Sequence, residues 1–344
     1  MDDQLLEQFD ALRGDAIRQA AADCEQAFPE MIARFGRRGR EACEEDLGFH
    51  LDFMRPALES GDRSPFIAYL GWLSQVLESR GVPLDSLPFS LQSLARFFES
   101  RMGDDSARAI TELLQGGIEA LSEGIEAPGF DDGSPEPWEE AQAYGEAVLS
   151  GDRARAGQAF DLALARSRQL PHSQVHVIQP ALYQLGLLWQ QNRISVAQEH
   201  MASALTQTLM AQAFGRVTPL PPNGRVVVLA CVQGNQHAIG LRMVSDAFEM
   251  AGWTVNFLGA DTPHEHLARH VAEHRPELVG LSVSLPFHLK SLREAVNMLR
   301  AKLGDDCPRV AAGGLVINQF PLLASAIGVE LLGRDAVAAV ERLT

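Results

Sequence analysis

The first third of the chain carries apolar residues at the spacing of amphipathic helices. The pattern predicts helices near residues 3–28, 30–60, 64–81, 87–102 and 105–123. Pro29, Gly61 and Gly103 stand at the breaks, where residues that interrupt helices are expected. We therefore predict an all-helical N-terminal domain over residues 1–125 and interpret it as a regulatory or output domain.

The residues that follow have the composition of a linker. Residues 124–137 are rich in glycine, proline and acidic side chains, and such a segment cannot bury a hydrophobic core. We place the linker at 126–137 and expect separately folded regions on either side of it.

Helical spacing returns after the linker. Four further helices are predicted near 138–149, 152–168, 173–191 and 194–215. Asp152 and Ser195 are of the residue types that begin helices, and Asn192 is of a type that ends them. Four helices with short connections predict a four-helix bundle over residues 138–217.

The period of the pattern changes after Pro219, Pro221 and Pro222. Short apolar runs at 226–231, 254–258, 278–284, 309–312 and 329–332 alternate with helical patterns at 238–251, 263–274, 288–303, 316–326 and 334–343. Strands that alternate with helices form parallel sheets. Residues 223–344 are thus predicted to form a flavodoxin-like, doubly wound, five-stranded parallel sheet, which makes the chain a multi-domain α/β protein.

Composition and charge narrow the functional classes. The net charge of −16 argues against a general nucleic-acid binder, which needs a clustered basic surface. No apolar run approaches the roughly 18 to 20 residues of a membrane helix, and the acidic N-terminus does not resemble a secretion signal. The four cysteines are far apart in sequence, so we interpret them as packed free thiols. We expect a cytoplasmic protein that binds neither membranes nor DNA directly.

One histidine stands where ligands bind in open α/β sheets. His237 follows the first predicted strand, at the carboxyl end of that strand. Taken alone, such a histidine could be structural, catalytic or a metal ligand. Gly240 lets a bulky group approach the start of the next helix, and Asn235 can hold the imidazole by a hydrogen bond. These neighbours favour a metal ligand presented to a large cofactor.

The third and fourth predicted strands end in residues that suit the same ligand. Ser282 and Ser284 carry hydroxyl groups that can bind a polar tail, and Gly313-Gly314 leaves a space that no side chain fills. Together these residues frame a slot between the strands. The chain has neither a GxxxxGK[ST] loop nor a GxGxxG motif, so nucleotide binding lacks its usual signature.

These motifs resemble the cobalamin-binding domain shared by methionine synthase, corrinoid methyl carriers and mutases. The hallmark of that family is Asp-x-His-x-x-Gly, followed by Ser-x-Leu or a similar pair after the third strand and Gly-Gly after the fourth. The resemblance implies that His237 is the lower axial ligand of cobalt, in place of the dimethylbenzimidazole of the cofactor. The displaced tail would thread the slot. The implied cofactor-binding residues are Asn235, Gln236, His237, Gly240, Ser282, Ser284, Gly313 and Gly314.

The predicted bundle carries a second motif. Trp189 is followed after nine residues by Glu199 and His200. This Trp-x9-Glu-His pattern is similar to the helical cap of the light-sensing, adenosylcobalamin-dependent regulators of the MerR class. In that family the three side chains surround the upper axial group of the cofactor. The resemblance therefore implies that residues 138–217 form a cap over cobalamin.

The sequence departs from the photoreceptor pattern at three points. Asn235 replaces the usual acidic residue, and a neutral amide orients His237 without raising its basicity, so we predict a weaker lower bond. Gln190 stands where the photoreceptors carry a histidine that binds cobalt after photolysis. An acidic helical segment occupies the place of the MerR DNA-binding domain, so direct DNA repression is not implied.

The other histidines are interpreted as surface or packing residues. The histidines of the predicted helix 263–274 include pairs four residues apart, but no third ligand is evident. His288 begins the helix after the third strand and can approach the lower side of the cofactor near His237.

Three functions compete at this point. The leading hypothesis is a non-enzymatic sensor that binds adenosylcobalamin or methylcobalamin. It would signal to a protein partner, or through self-association, by way of its N-terminal helices. A corrinoid carrier for a separate methyltransferase is the enzymatic alternative. A sensor that binds haem on the same fold is the third.

Overall fold

The computed structural model describes residues 3–34, 36–125 and 135–343. The chain divides into two compact units, Met1–Gly129 and Phe130–Thr344. Most of the predicted linker at 126–137 lies outside the described residues. Within the described ranges no helix is long and apolar enough to cross a membrane.

The first unit is helical throughout its described residues. Its helices are α1 (Asp3–Ala27), α2 (Pro29–Arg34), α3 (Gly39–Ser60), α4 (Ser64–Ser79), α5 (Ser86–Arg101) and α6 (Asp104–Glu123), with a 3₁₀ turn at Gly36–Arg38. The single helix predicted at 30–60 is therefore divided. The cause is local: Gly36 has φ 62°, and a Cβ on Gly39 would lie 2.1 Å from the carbonyl oxygen of Ile32. Only glycine permits the turn that joins α2 to α3.

A buried histidine organises the polar part of this core. His50 Nε2 lies 3.2 Å from Ser90 Oγ, and its Nδ1 lies 2.8 Å from Tyr69 Oη. The Ser90 hydroxyl donates its hydrogen to the carbonyl of Leu87 and can only accept from His50. Nε2 therefore carries the ring proton, and Nδ1 accepts from Tyr69. Burial lowers the pKa of His50 to about 4, which keeps the ring neutral.

This histidine makes the stability of the first unit depend on pH. Because unfolded His50 binds a proton near pH 6.5 and folded His50 only near pH 4, the free energy of unfolding falls as pH drops through that window. Burial raises the pKa of Asp46 to about 6, which gives the opposite slope between pH 4 and 6. We predict that His50→Gln, which retains one donor and one acceptor, reduces the acid-induced loss of stability by up to about 3 kcal/mol.

Urea unfolding of both proteins between pH 7 and pH 4.5 measures the effect. The comparison cancels the contribution of Asp46, because both proteins carry that residue. Equal pH slopes for the variant and the parent would contradict the assignment.

The second unit begins with the bundle. Its helices are α7 (Glu140–Ser150), α8 (Arg153–Ser167), α9 (Leu170–Ser173), α10 (Gln179–Gln190) and α11 (Val196–Phe214), with a π-helical turn at Gln174–Ile178. Asp152 caps α8 by accepting from the backbone N–H of Arg155. Ser195 and Gln198 form a capping box at the start of α11. The helix predicted at 173–191 therefore corresponds to α9, the π turn and α10, which follow one another without a break in the chain.

A parallel sheet follows the bundle. Its strands are β1 (Val226–Val232), β2 (Thr254–Thr262), β3 (Leu278–Ser282) and β4 (Arg309–Gly313), in the spatial order β2-β1-β3-β4. The helices are α12 (Ile239–Met250), α13 (His264–His274), α14 (His288–Leu303), α15 (Leu315–Gln319), α16 (Leu322–Ile327) and α17 (Ala336–Glu341). The alternation of strands and helices and the parallel direction are as predicted.

The predicted fifth strand is reduced to one bridge. Glu330 pairs with Ala311, donating to Val310 and accepting from Ala312, and this is the only pairing found for 329–332 in the described part of the chain. The chain then turns to Asp335, which caps α17. The expectation of five strands is thus wrong, because the path to α17 leaves too little extended backbone for a ladder. The sheet has four strands.

The bundle and the sheet share one hydrophobic core. The buried residues of the bundle form a cluster that also contains Met243 and Ala247 of α12 and Ala336 of α17. A buried polar contact crosses the same boundary, where Gln174 Nε2 donates to Asp246 Oδ2 at 2.6 Å. The π turn of the bundle is therefore bonded directly to α12.

Candidate functional site

The strand order places a crevice beside β1. The chain leaves β1 toward β2 on one side and returns to β3 on the other, so the topological switch point lies between β1 and β3. Cys231, Ser282 and Gly313 pair in register across three neighbouring strands at their carboxyl ends. Ligands of open α/β sheets bind at this position. The ends of these strands define the floor of the candidate site.

A tight turn carries His237 above this floor. Gly234 has φ 88°, and the N–H of Asn235 donates to the carbonyl of Val232 at 3.0 Å. Asp261, at the end of β2, accepts from the N–H of Gly234 at 2.7 Å and donates from its own N–H to the carbonyl of Asn235. Asp261 has a positive φ of 49°, which is uncommon for a residue other than glycine. The turn is thus anchored from both β1 and β2.

The amide of Asn235 determines the tautomer of His237. Asn235 is fully buried, and its Nδ2 donates to the carbonyl oxygen of Ser282 at 2.9 Å. Because that carbonyl can only accept, Oδ1 of Asn235 must face His237, where it lies 3.2 Å from Nδ1. Nδ1 therefore carries the proton, and Nε2 presents a lone pair. This arrangement suits a metal ligand.

The surroundings of His237 keep the ring neutral. Neighbouring atoms crowd the imidazole although the residue is solvent-accessible, and this desolvation lowers its pKa. The carboxylate of Glu199, on the first turn of α11, acts in the opposite direction. The bundle therefore brings a negative charge within electrostatic range of the histidine.

A second imidazole lies behind the turn. His288 is buried, and its Nδ1 accepts from the N–H of Leu285 at 3.3 Å. Burial and the neighbouring His237 ring lower the pKa of His288 to about 4, and a hydrogen bond with the backbone of Gly234 opposes them. The prediction that His288 approaches His237 agrees with this interaction. Its hydrogen bonds to two loops make it a support for the turn.

The glycines of the site differ in what surrounds them. A Cβ on Gly240 or on Gly313 would meet no atom within 4 Å. A Cβ on Gly314 would lie 2.3 Å from the carbonyl oxygen of Val283, and its φ is 105°. Gly314 is therefore required by the fold, whereas Gly240 and Gly313 leave open space. Ser284 is half-buried on the segment that follows β3, and Gln236 is exposed on the His237 turn.

The structure brings two of the predicted cap residues into direct contact. Glu199 Oε2 lies 2.6 Å from His200 Nδ1, and Glu199 Oε1 accepts from Ser203 at 2.7 Å. His200 is largely exposed, and Trp189 is partly buried against the core of the bundle. Gln190, the position after the tryptophan, is buried. Glu199 is thus a cap residue whose charge reaches His237.

Sequence reasoning missed several supports of the turn. Asp261 follows an apolar run and has no motif around it, so only the pairing of β1 with β2 shows its contact with Gly234. Ser291 of α14 donates to the carbonyl of Gln233 and also bonds His264 at 2.8 Å. His264 therefore helps to hold Ser291 in place beneath the His237 turn.

The remaining histidines of α13 form no metal centre. The rings of His270 and His274 stack with centroids 3.9 Å apart, and His274 Nδ1 bonds the carbonyl of His270. Across the described residues, no group of three or more histidine, cysteine, aspartate or glutamate side chains could hold a metal ion.

Comparison with known proteins identifies the class. The B12 binding domain family matches residues 225–341, and a second B12 binding domain family matches residues 140–213. These regions are the sheet and the bundle. The second compact unit therefore belongs to the B12-binding domain families, and the protein binds cobalamin.

Two groups of curated relatives resemble the chain. The HTH-type transcriptional repressor CarH of Myxococcus xanthus is 27% identical over 241 residues, which are 70% of this chain and 79% of that protein. The repressor CarA of the same organism is 37% identical over 103 residues, 30% of this chain, which therefore spans about a third (34%) of CarA. Dimethylamine corrinoid protein 1 of Methanosarcina acetivorans is 25% identical over 165 residues, 46% of this chain and 75% of that protein.

A solved structure supports the fold. The monomethylamine corrinoid protein of Methanosarcina barkeri superimposes with a TM-score of 0.53 at 17% identity, over 60% of this chain and 97% of that protein. At this identity the likeness concerns the fold alone.

The residues at the switch point suit such a cofactor. Nε2 of His237 has no hydrogen-bond partner within the described ranges, and the open positions at Gly240 and Gly313 leave room for a bulky group. Cobalamin contains a cobalt ion that accepts an imidazole nitrogen, and it is large enough to need such space. The donor set therefore fits the group.

Adjacent glycines allow this interpretation to be tested. Gly313→Ala adds a methyl group in open space, so we predict a stable protein whose cobalamin affinity falls by about 1–3 kcal/mol if the cofactor occupies that space. Gly314→Ala should instead lower the stability of the second unit, by about 1–3 kcal/mol from backbone strain and further from the clash with Val283. Cobalamin titration and thermal unfolding of both variants separate the two effects. A Gly313→Ala variant with parental affinity would exclude the cofactor from this space.

Proposed function

We propose that the protein is a non-enzymatic cobalamin sensor in which the bundle lies over the cofactor and responds to its upper axial group. The main support for this proposal is Glu199 on the first turn of α11, because its carboxylate raises the pKa of His237 against the effect of burial. The relation to CarH supports it, because that match extends over 70% of the chain.

In this proposal His237 is the lower ligand of cobalt. Nε2 faces the metal, and Nδ1 donates to the neutral Oδ1 of Asn235. An amide accepts more weakly than a carboxylate, so the histidine remains a weaker ligand than in relatives with an acidic residue at this position. Gln236, Gly240, Ser282, Ser284, Gly313 and Gly314 contact the rest of the cofactor.

The upper side of the site is assigned to Trp189, Glu199 and His200 on the bundle. A bound adenosyl group would supply a cobalt–carbon bond that light cleaves, as the resemblance to the photoreceptors implies. Loss of that group would change the space between the bundle and the sheet. Such a switch requires different affinities for the cofactor state in two arrangements of the protein.

A route from the site to the bundle runs along α12. Arg242 Nε donates to Asp246 Oδ1 at 2.8 Å, and Gln174 Nε2 donates to the other oxygen of this buried carboxylate. Burial raises the pKa of Asp246, while its two partners act in the opposite direction. Because α12 begins directly after the His237 turn, a shift of that turn moves Arg242 and Asp246 against the π turn of the bundle. Signalling then reaches the N-terminal helices, which act on a protein partner or on a second copy.

A second candidate is a corrinoid carrier for a methyltransferase. The similarity to the dimethylamine corrinoid protein supports this alternative, in which the same His237 holds a methylated cofactor. Transfer of a methyl group between the bound cofactor and a methyltransferase would favour the carrier over the sensor.

Illumination tests the sensor directly. We predict that green light changes the absorption spectrum of the adenosylcobalamin-loaded full chain and also its oligomeric state in size-exclusion chromatography with light scattering. A sample kept in the dark is the control. If light changes neither the spectrum nor the oligomeric state, the photosensor proposal is wrong.

The buried carboxylate offers a test of the route. Asp246→Asn removes the charge but retains a buried partner, since the amide of Gln174 can rotate and present its Oε1, which has no hydrogen-bond partner among the residues that the structure describes. We predict a loaded protein with an unchanged spectrum and a smaller light-induced change in hydrogen exchange at residues 174–178. Asp161→Asn is the matched control, because Asp161 pairs with Arg216 on the surface of the bundle. Equal exchange changes in both variants would contradict the route.

A further inference from the structure

Helices α1 and α3 of the first unit pack as an antiparallel pair. Three ion pairs step in opposite directions along the two helices and establish their register: Arg55 with Asp10 at 3.2 Å, Arg13 with Asp52 at 2.9 Å, and Arg40 with Glu25 at 2.8 Å. Cys24 precedes Glu25, and Cys43 lies one turn after Arg40. The register therefore brings two cysteines, separated in sequence, to the same level of the pair.

A glycine lets the two helices approach closely beside the ion pair of Arg13. On α3, a Cβ added to Gly48 would lie 3.2 Å from the guanidinium of Arg13. Little side-chain volume therefore separates α3 from α1 at Gly48.

The two thiols interact with each other. Cys24 and Cys43 share a side-chain hydrogen bond, and the thiol that keeps its proton stabilises the thiolate of its neighbour, which lowers the pKa for loss of the first proton from the pair. Cys24 is only 2% exposed, whereas Cys43 is half-buried and reachable from solvent. One thiol of the pair is thus accessible, and the other lies directly behind it.

We propose that Cys24 and Cys43 form a redox-active dithiol that hydrogen peroxide closes to a disulfide. The accessible Cys43 attacks as the thiolate of the pair. Its sulfur bonds one oxygen of the peroxide, the O–O bond breaks, the departing hydroxide takes up the proton that Cys43 released, and a sulfenic acid and one water form. The Cys24 sulfur then attacks the Cys43 sulfur, the S–S bond forms, and the S–O bond breaks with release of a second water. Two thiols lose two electrons and two protons, and the peroxide is reduced to two waters.

The other two cysteines lack this arrangement. Burial raises the pKa of Cys231 to about 11, and its neighbour is the hydroxyl of Ser282. Cys307 is half-buried, its pKa is raised by burial, and Arg300 is the opposing influence. Cys307 therefore serves as an internal control of similar exposure without a neighbouring thiol. Reversible disulfides within cytosolic proteins commonly serve as redox sensors, and a bond between α1 and α3 would join two helices of the first unit covalently.

Peroxide treatment of the full chain tests the proposal. After treatment, denaturation and alkylation, the number of free thiols should fall from the four of the reduced chain to two. Peptide mapping without reductant should identify the missing pair as a Cys24–Cys43 crosslink, and dithiothreitol should restore the original number. Alkylated Cys307 should be recovered unchanged.

The Cys24→Ser variant isolates the first step. It should accumulate a sulfenic acid at Cys43, detected by a dimedone adduct, and should form no intramolecular crosslink. If this variant fails to fold, the thiol count and the peptide map of the parent chain test the proposal. Oxidation of Cys43 to sulfinic acid without a crosslink in the parent, or oxidation of Cys307 at the same rate, would overturn the proposal, as would retention of all four thiols.

Discussion

The orientation of one buried amide is the constraint on which the site depends. Asn235 donates to the carbonyl of Ser282 and accepts from His237, so it joins the end of β3 to the turn after β1 across the switch point. Rotation of the amide would place two donors or two acceptors against each other in a buried position, which costs about 1–3 kcal/mol. The direction of the His237 lone pair therefore follows from the packing of the sheet.

The elements around this amide all hold the His237 turn in place. Asp261, Ser291 and His288 bond the turn from β2 and from α14, and α12 starts where the turn ends. The same helix contributes to the core of the bundle and holds Asp246 against Gln174. The sheet and the bundle are thus parts of one packed unit, as the proposed sensor requires.

Much of this architecture is readable from the sequence because it depends on local pattern. Helix periodicity and the change of period after Pro222 predict the bundle and the parallel sheet, and the resemblance of the motif around His237 to a known family implies the class of cofactor. The prediction of a fifth strand was wrong, because the apolar residues at 329–332 do not show how few residues separate them from α17. Contacts such as Asp261 with Gly234 or Cys24 with Cys43 depend on the register between distant elements.

Electron paramagnetic resonance of the cobalt(II) form most directly tests the central claim, that His237 is the lower ligand. The cobalamin-loaded protein would be prepared with ordinary histidine and with nitrogen-15 histidine. We predict that the nitrogen superhyperfine pattern changes with the isotope and that His237→Ala abolishes this change. A pattern independent of the isotope would mean that the dimethylbenzimidazole of the cofactor holds the cobalt and that His237 is not the lower ligand.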